Sequence, residues 1–136
     1  MGIYIGLDIP LPAKANTDYI AGTVVCVDSI DTGSNLPVPA VAASVTKVPI
    51  GIIRENTDHL LGQKPTVRMG GIQDAIAGAA IDPSVENRLT FDTSGYVIPM
   101  PATTGDYPIV GLAVEKCTTS GDLVRVLVNP TMQHHA

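Results

Sequence analysis

The 136-residue sequence predicts an all-β fold: a single small β-barrel or sandwich of short hairpin-connected strands, with an extended N-terminal arm. Three observations predict it. Near the C-terminus two apolar, β-branched runs, Tyr107-Pro-Ile-Val-Gly-Leu-Ala-Val-Glu115 and Asp122-Leu-Val-Arg-Val-Leu-Val128, flank the turn formers Lys116-Cys-Thr-Thr-Ser-Gly121. That is the pattern of a hairpin with a longer loop. The same plan occurs earlier, as Val48-Pro-Ile-Gly-Ile-Ile-Arg54, a polar connection, and Thr66-Val-Arg-Met-Gly-Gly-Ile72. In both, a proline precedes a short apolar run containing glycine, and the partner strand carries a lone arginine, Arg68 or Arg125. Finally, 11 prolines and 13 glycines break the chain too often for long helices.

Residues 1–17 read as the arm. Ile3, Ile5, Leu7, Ile9 and Leu11 alternate with smaller or polar residues at the period of an extended segment. Pro10 and Pro12 forbid its continuation as a central strand. An apolar arm of this kind packs on its own barrel, on a sister subunit or on a partner. Its candidate contact residues are Ile3, Tyr4, Ile5, Leu7, Ile9 and Leu11. The domain itself is expected over 18–130. Its first strand is Tyr19–Asp28, followed by a turn-rich loop from Ser29 to Pro39 in which Pro37-Val-Pro39 cannot be strand interior. A short strand over Val41–Thr46 precedes the Val48–Arg54 run. Within the polar connection 55–65, Asn56-Thr-Asp58 can cap one helical turn through His59, Leu60 and Leu61. The small-residue stretch 70–81 is a short helix or a closely packed strand, and its glycines favour strand and loop. Asp82–Asn87 is a turn. Arg88–Asp92 and Tyr96–Met100 form a hairpin around Thr93-Ser-Gly95. Residues 131–136 are expected as a short flexible tail.

Composition excludes several classes of function. The aromatic residues are Tyr4, Tyr19, Phe91, Tyr96 and Tyr107, so the core must be aliphatic. Charged residues make up 15% of the chain, below the usual quarter, which suggests that part of the surface is covered by other copies or by a larger body. The net charge of −5, with no Lys/Arg cluster, argues against nucleic acid and against anionic membranes as partners. The N-terminus lacks the basic-then-apolar order of a signal peptide, and position 6 is Gly rather than the Ser or Thr of a myristoylation signal. No apolar run has the length of a membrane-spanning helix.

Nor does a chemical constellation emerge. Asp28, Asp31, Asp58, Asp74, Asp82, Asp92, Asp106 and Asp122 are scattered through turns, where aspartate bonds the local backbone. The stretch Asp28–Asn35 faintly echoes a calcium loop but lacks its terminal bidentate Glu. Cys26 and Cys117 read as buried free thiols, with a disulfide as the alternative and no histidine near either at zinc spacing. His59 fits a surface or helix-capping role. No phosphate-cradling glycine motif occurs. No catalytic, cofactor-binding or metal-binding residue is therefore assigned, and no cofactor is expected. Arg54, Arg68, Arg88 and Arg125 lie on strands, either pointing outward or forming the polar rim of an interface.

A set of short motifs then appears in a telling order. It runs Ala21-Gly-Thr-Val-Val25, Gly51-Ile52, Val67-Arg-Met-Gly-Gly-Ile72 leading to Ala77-Gly-Ala-Ala-Ile81, and Thr93-Ser-Gly-Tyr-Val97. Ile109–Glu115 and Ser120–Pro130 complete it. Together they resemble the small capsid cement, or head decoration, proteins of tailed bacteriophages. The loop at 31–39 and the insertion at 55–65 are longer than that pattern. The resemblance implies a non-enzymatic virion protein on the outer surface of the capsid, whose partners are the major capsid protein and itself, as a homotrimer or in some members a dimer. Two rivals are a small trimeric nucleotide hydrolase of dUTP-hydrolase type and a receptor-binding or adhesion module. The first would need an acid beside Tyr96 and a glycine-rich C-terminal tail. The second is suggested only by the all-β architecture.

Overall fold

The computed structural model describes residues 6–41 and 47–135. The strands are β1 (Gly6–Pro10), β2 (Val24–Ile30), β3 (Pro37–Val41), β4 (Gly51–Ile53), β5 (Thr66–Ile76), β6 (Arg88–Phe91), β7 (Val97–Pro99), β8 (Gly105–Ala113) and β9 (Leu123–His135). One turn of 3-10 helix, His59–Leu61, lies between β4 and β5. The strands form one antiparallel sheet, curled into a half-barrel, in the order β3-β2-β4-β5-β9-β8-β6-β7, with β1 added to β5. A parallel bridge between Ala77 and Val97 ties the far edge back to the chain just after β5.

That strand order is an internal repeat. The arrangement β3-β2-β4-β5 recurs as β7-β6-β8-β9, and the registers agree. Ile52 faces Arg68 and Ile53 faces Val67 in the first repeat; Leu112 faces Leu127 and Ala113 faces Val126 in the second. Val24 faces Ile52 as Arg88 faces Leu112. The bridge Tyr19–Thr57 has its counterpart in Ile81–Cys117. Even the turns match: the N–H of Asp31 donates to the carbonyl of Leu36, and that of Asp92 to Tyr96, while Ser34 and Ser94 each donate their N–H to the aspartate side chain. β1 pairs with the first half of β5 as the second half of β5 pairs with β9. The long strand β5 thus closes one repeat and opens the next.

The glycine that interrupts each apolar run has a steric cause. A Cβ on Gly51 would lie 2.1 Å from the carbonyl oxygen of Arg68, and one on Gly111 would lie 2.1 Å from that of Leu127. Only glycine lets the neighbouring strand approach this closely.

Two aliphatic cores result. The larger holds Ile81, Leu89, Phe91, Val97, Val110, Val124, Val126 and Val128 of the second repeat together with Val24, Cys26 and Ile52 of the first. The smaller holds Leu11, Tyr19, Val25, Ile53 and Val67, with Ile9, Ile50 and Met69 packed against it.

The expected one-turn helix is present: Asp58 accepts from the N–H of Leu60 at 2.9 Å, and Gly62 ends the turn in a left-handed conformation. The stretch after Gly70 is strand through Ile76, as its glycines favoured. Other expectations are corrected. Pro37-Val-Pro39 is not loop but part of β3, because β3 is an edge strand and a missing N–H on the outer side leaves no ladder bond unmade. Of the strand expected over Val41–Thr46, Val41 ends β3 and the remainder lies outside the described residues. Residues 131–135 are not a separate tail but the end of β9, paired with the start of β8. Residues 6–10 of the arm are an edge strand of the chain's own sheet, so for these residues the first of the three packing options holds.

Candidate functional site

The arm is held by charge as well as by apolar packing. Asp8 of β1 sits opposite Arg68 of β5. Arg68 Nε donates to Asp8 Oδ1 at 2.7 Å and Nη2 to Oδ2 at 2.9 Å, a bidentate pair, while its Nη1 donates to the Ile72 carbonyl at 2.6 Å. Arg54 adds a third donor to Asp8 Oδ2 at 3.0 Å. The Arg68 hydrogen bonds hold the Asp8 carboxyl below its ordinary range against the opposing effect of burial, and Arg54 contributes by its charge. Beyond Asp8, Ile9 and Leu11 enter the smaller core. Leu7 points the other way and is 64% exposed. Of the sequence-predicted arm contacts, Leu7 is therefore the described residue available to a partner, Ile9 and Leu11 serve the fold, and Ile3, Tyr4 and Ile5 lie outside the described residues.

The four arginines are not brought together. Arg68 is buried, so it belongs to the clasp rather than to a rim. Arg54 stands partly exposed over the same clasp. Arg88 pairs with Glu86, its Nη2 2.7 Å from Oε1, and these bonds lower the Glu86 carboxyl. Arg125 faces Asp74 across the β5–β9 ladder, and its backbone N–H donates to Glu115 at 2.8 Å.

Around Arg125 lies a surface that the sequence reading missed. Register places Ile72, Leu127 and Leu112 in one row across β5, β9 and β8, and Ile76 beside Leu123 in another. Leu123, Leu127 and Val114 are open to solvent. The uncovered face of an antiparallel sheet is ordinarily polar, whereas here it is aliphatic with one acid and one base at its centre. The signal was present in Leu123-Val-Arg-Val-Leu-Val128, where apolar residues occupy both alternating sets rather than one.

His59 does fasten a loop. Its Nδ1 is 2.6 Å from Asp18 Oδ1, which also accepts the His59 N–H at 2.9 Å. Asp18, Asp58 and His59 could each turn one ligand atom to a cation, yet both carboxylates already serve backbone N–H groups. Cys26 and Cys117 are buried free thiols.

No protein-family model matches this chain, and no curated protein matches it significantly. Among solved structures, the chain is similar to the head fiber gp8.5 N base of bacteriophage phi29. The TM-score is 0.58 and the identity 18%, over 92% of this chain and 95% of that one. The fold is thus one that a phage head-associated protein also uses, carried here on a sequence far removed from it.

Proposed function

We propose that this chain is a structural protein of a phage head, binding the outer surface of the assembled shell and stabilising contacts between neighbouring major capsid subunits. The observation that carries the proposal is the likeness to a head-fibre base over nearly the whole of both chains. It agrees with the motif order that resembles head decoration proteins. The open aliphatic sheet face and the outward Leu7 are the kind of surface that such attachment uses. A protein that binds the assembled shell and not free subunits stabilises the shell by mass action. Self-association as a trimer, or as a dimer, would strengthen this by raising effective concentration. The reading takes the chain as a binding protein and not an enzyme, and it requires no cofactor, nucleic acid or membrane.

The test is to add the purified protein to heads stripped of decoration. It should sediment with the heads and raise their disruption temperature. Absence of binding overturns the reading. Deleting residues 2–12 would remove Asp8 and Leu11 and so damage the fold, which makes Leu7→Glu the cleaner probe of the arm. Reduced head occupancy in a normally folded Leu7→Glu protein is expected if the arm carries contact.

A further inference from the structure

The tip of the β4–β5 connection is both ordered and apolar. Leu60 is 81% and Leu61 71% exposed, more than any other leucine among the described residues. Neither belongs to a core, and no residue of the 3-10 turn is buried. Yet every main-chain N–H from Thr57 to Gly62 has a partner. Thr57 donates to the Tyr19 carbonyl, Asp58 to Gln63 Oε1, and His59 to Asp18 Oδ1. Leu60 donates to Asp58 Oδ1, Leu61 to the Asp58 carbonyl and Gly62 to that of His59. Asn56 Oδ1 accepts from the N–H of Ala21 at 2.8 Å and ties the base of the loop to the segment before β2. Ordering a loop costs conformational entropy, and here the ordered backbone carries two leucines into water.

The fold does not require them. The second repeat makes the same connection, between Ala113 and Val126 in place of Ile53 and Val67, and with the same bridge at its base. Its tip is Thr118-Thr-Ser-Gly121, with no apolar residue. Two adjacent outward leucines also differ from the singly scattered apolar residues that are normal on a surface. Their surroundings are acidic. Asp18 and Asp58 bring carboxylate oxygens within 4.8 Å of each other, and both line a recess at the foot of the turn with Ile20, itself 57% exposed. The backbone and side-chain bonds from His59 hold the Asp18 carboxyl below its ordinary range, so it is charged at neutral pH. An apolar tip with carboxylates at its foot is complementary to an apolar cleft with a basic rim. It is poorly matched to a second copy of a chain of net charge −5 or to an anionic lipid surface.

We propose that Leu60 and Leu61 form a preformed anchor that enters an apolar, basic-rimmed cleft on a protein of the assembled shell. This rests on the head-binding reading above and names the residues and the kind of cleft that it uses. Because the tip is already ordered in the free chain, little further ordering opposes its insertion.

Sedimentation with heads stripped of decoration tests this, comparing wild type, the double variant Leu60→Ser with Leu61→Ser, Asp58→Ala and Asp58→Asn. Far-ultraviolet circular dichroism and thermal unfolding check that each variant folds. The double variant should bind about 100-fold more weakly, about tenfold for each leucine withdrawn from the cleft. Asp58→Ala keeps both leucines but removes the acceptor for the Leu60 N–H, and should weaken binding about fivefold at any salt concentration. Asp58→Asn keeps the cap and loses only the charge, so its deficit should vanish at high salt. A folded double variant that binds as wild type does overturns this inference and leaves the head-binding reading standing. Wild type that ignores heads overturns both. Asp58→Ala binding with wild-type affinity overturns the preformed anchor, and Asp58→Asn binding more tightly than wild type overturns the basic rim. Flotation of wild type, but not of the double variant, with phosphatidylserine-containing vesicles assigns the tip to lipid and also overturns the proposal. Should the double variant fail to fold, Leu60→Ser alone takes its place, with the tenfold loss expected.

Discussion

At the scale of the residue, Asp8 and Arg68 show how one chain solves the same packing problem twice. In the first repeat the position is filled by a bidentate ion pair, and in the second by Ile72 opposite Leu127. Removing one partner leaves a buried charge unpaired, so Asp8→Asn should cost about 2–3 kcal/mol in urea unfolding. The double change Asp8→Ile with Arg68→Leu copies the apolar solution and should recover most of that loss. A double variant weaker than the single one would show that the two sites are not equivalent. The pair also sets an acid dependence. The folded Asp8 carboxyl titrates below its ordinary 3.8, so the unfolded chain takes up the proton first as pH falls. The stability from the pair is complete above pH 3.8 and is lost as pH drops through the lower folded value. Asp18, Asp31, Asp82 and Glu86 are lowered too and act in the same direction. Urea midpoints measured at pH 7, 4 and 3 should therefore fall, and fall less steeply in Asp8→Asn.

At the scale of the element, the strand pairs β4–β5 and β8–β9 depend on one glycine each. An added methyl at Gly111 meets a main-chain carbonyl rather than the end of a flexible side chain, so the strands themselves must part. Gly111→Ala should cost about 3 kcal/mol, at the upper end of ordinary overpacking, and Gly51→Ala a similar amount. Hydrogen exchange should show the loss concentrated in the β8–β9 ladder for the first and in β4–β5 for the second. Loss of less than 1 kcal/mol in both would mean that this close approach is not what selects glycine. The hairpins themselves were legible in sequence, because turn formers between β-branched runs leave few alternatives. The proline-bearing strand β3 was not legible as strand. Proline forbids the middle of a sheet and permits its edge, and only the assembled order shows which of the two a segment occupies.

At the scale of the whole molecule, the two repeats do not form two domains. Val24, Cys26 and Ile52 of the first complete the core of the second, and β5 belongs to both. Unfolding should therefore be a single transition, with equal calorimetric and van't Hoff enthalpies. Val24→Ala should lower that one midpoint, at a cost of about 2 kcal/mol, without splitting it. Two resolved transitions would show repeats that are stable on their own.

The sequence by itself determined the all-β class, the hairpins, the capped turn at Asp58 and the partial repetition of Gly-containing runs opposite arginine-bearing strands. These are local consequences of backbone sterics and side-chain alternation. Tertiary structure alone decided the rest. Arg68 and Arg125 stand on strands of similar sequence, yet one is buried against Asp8 and the other lies on an open face, because they hold different places in the repeat: the counterpart of Arg68 is Leu127, and that of Arg125 is Thr66. Leu123 and Leu127 could not be told from core residues, since an apolar residue reads the same whether its cover comes from within the chain or from outside it. Periodicity reports which side chains share a face, and only packing reports what that face meets.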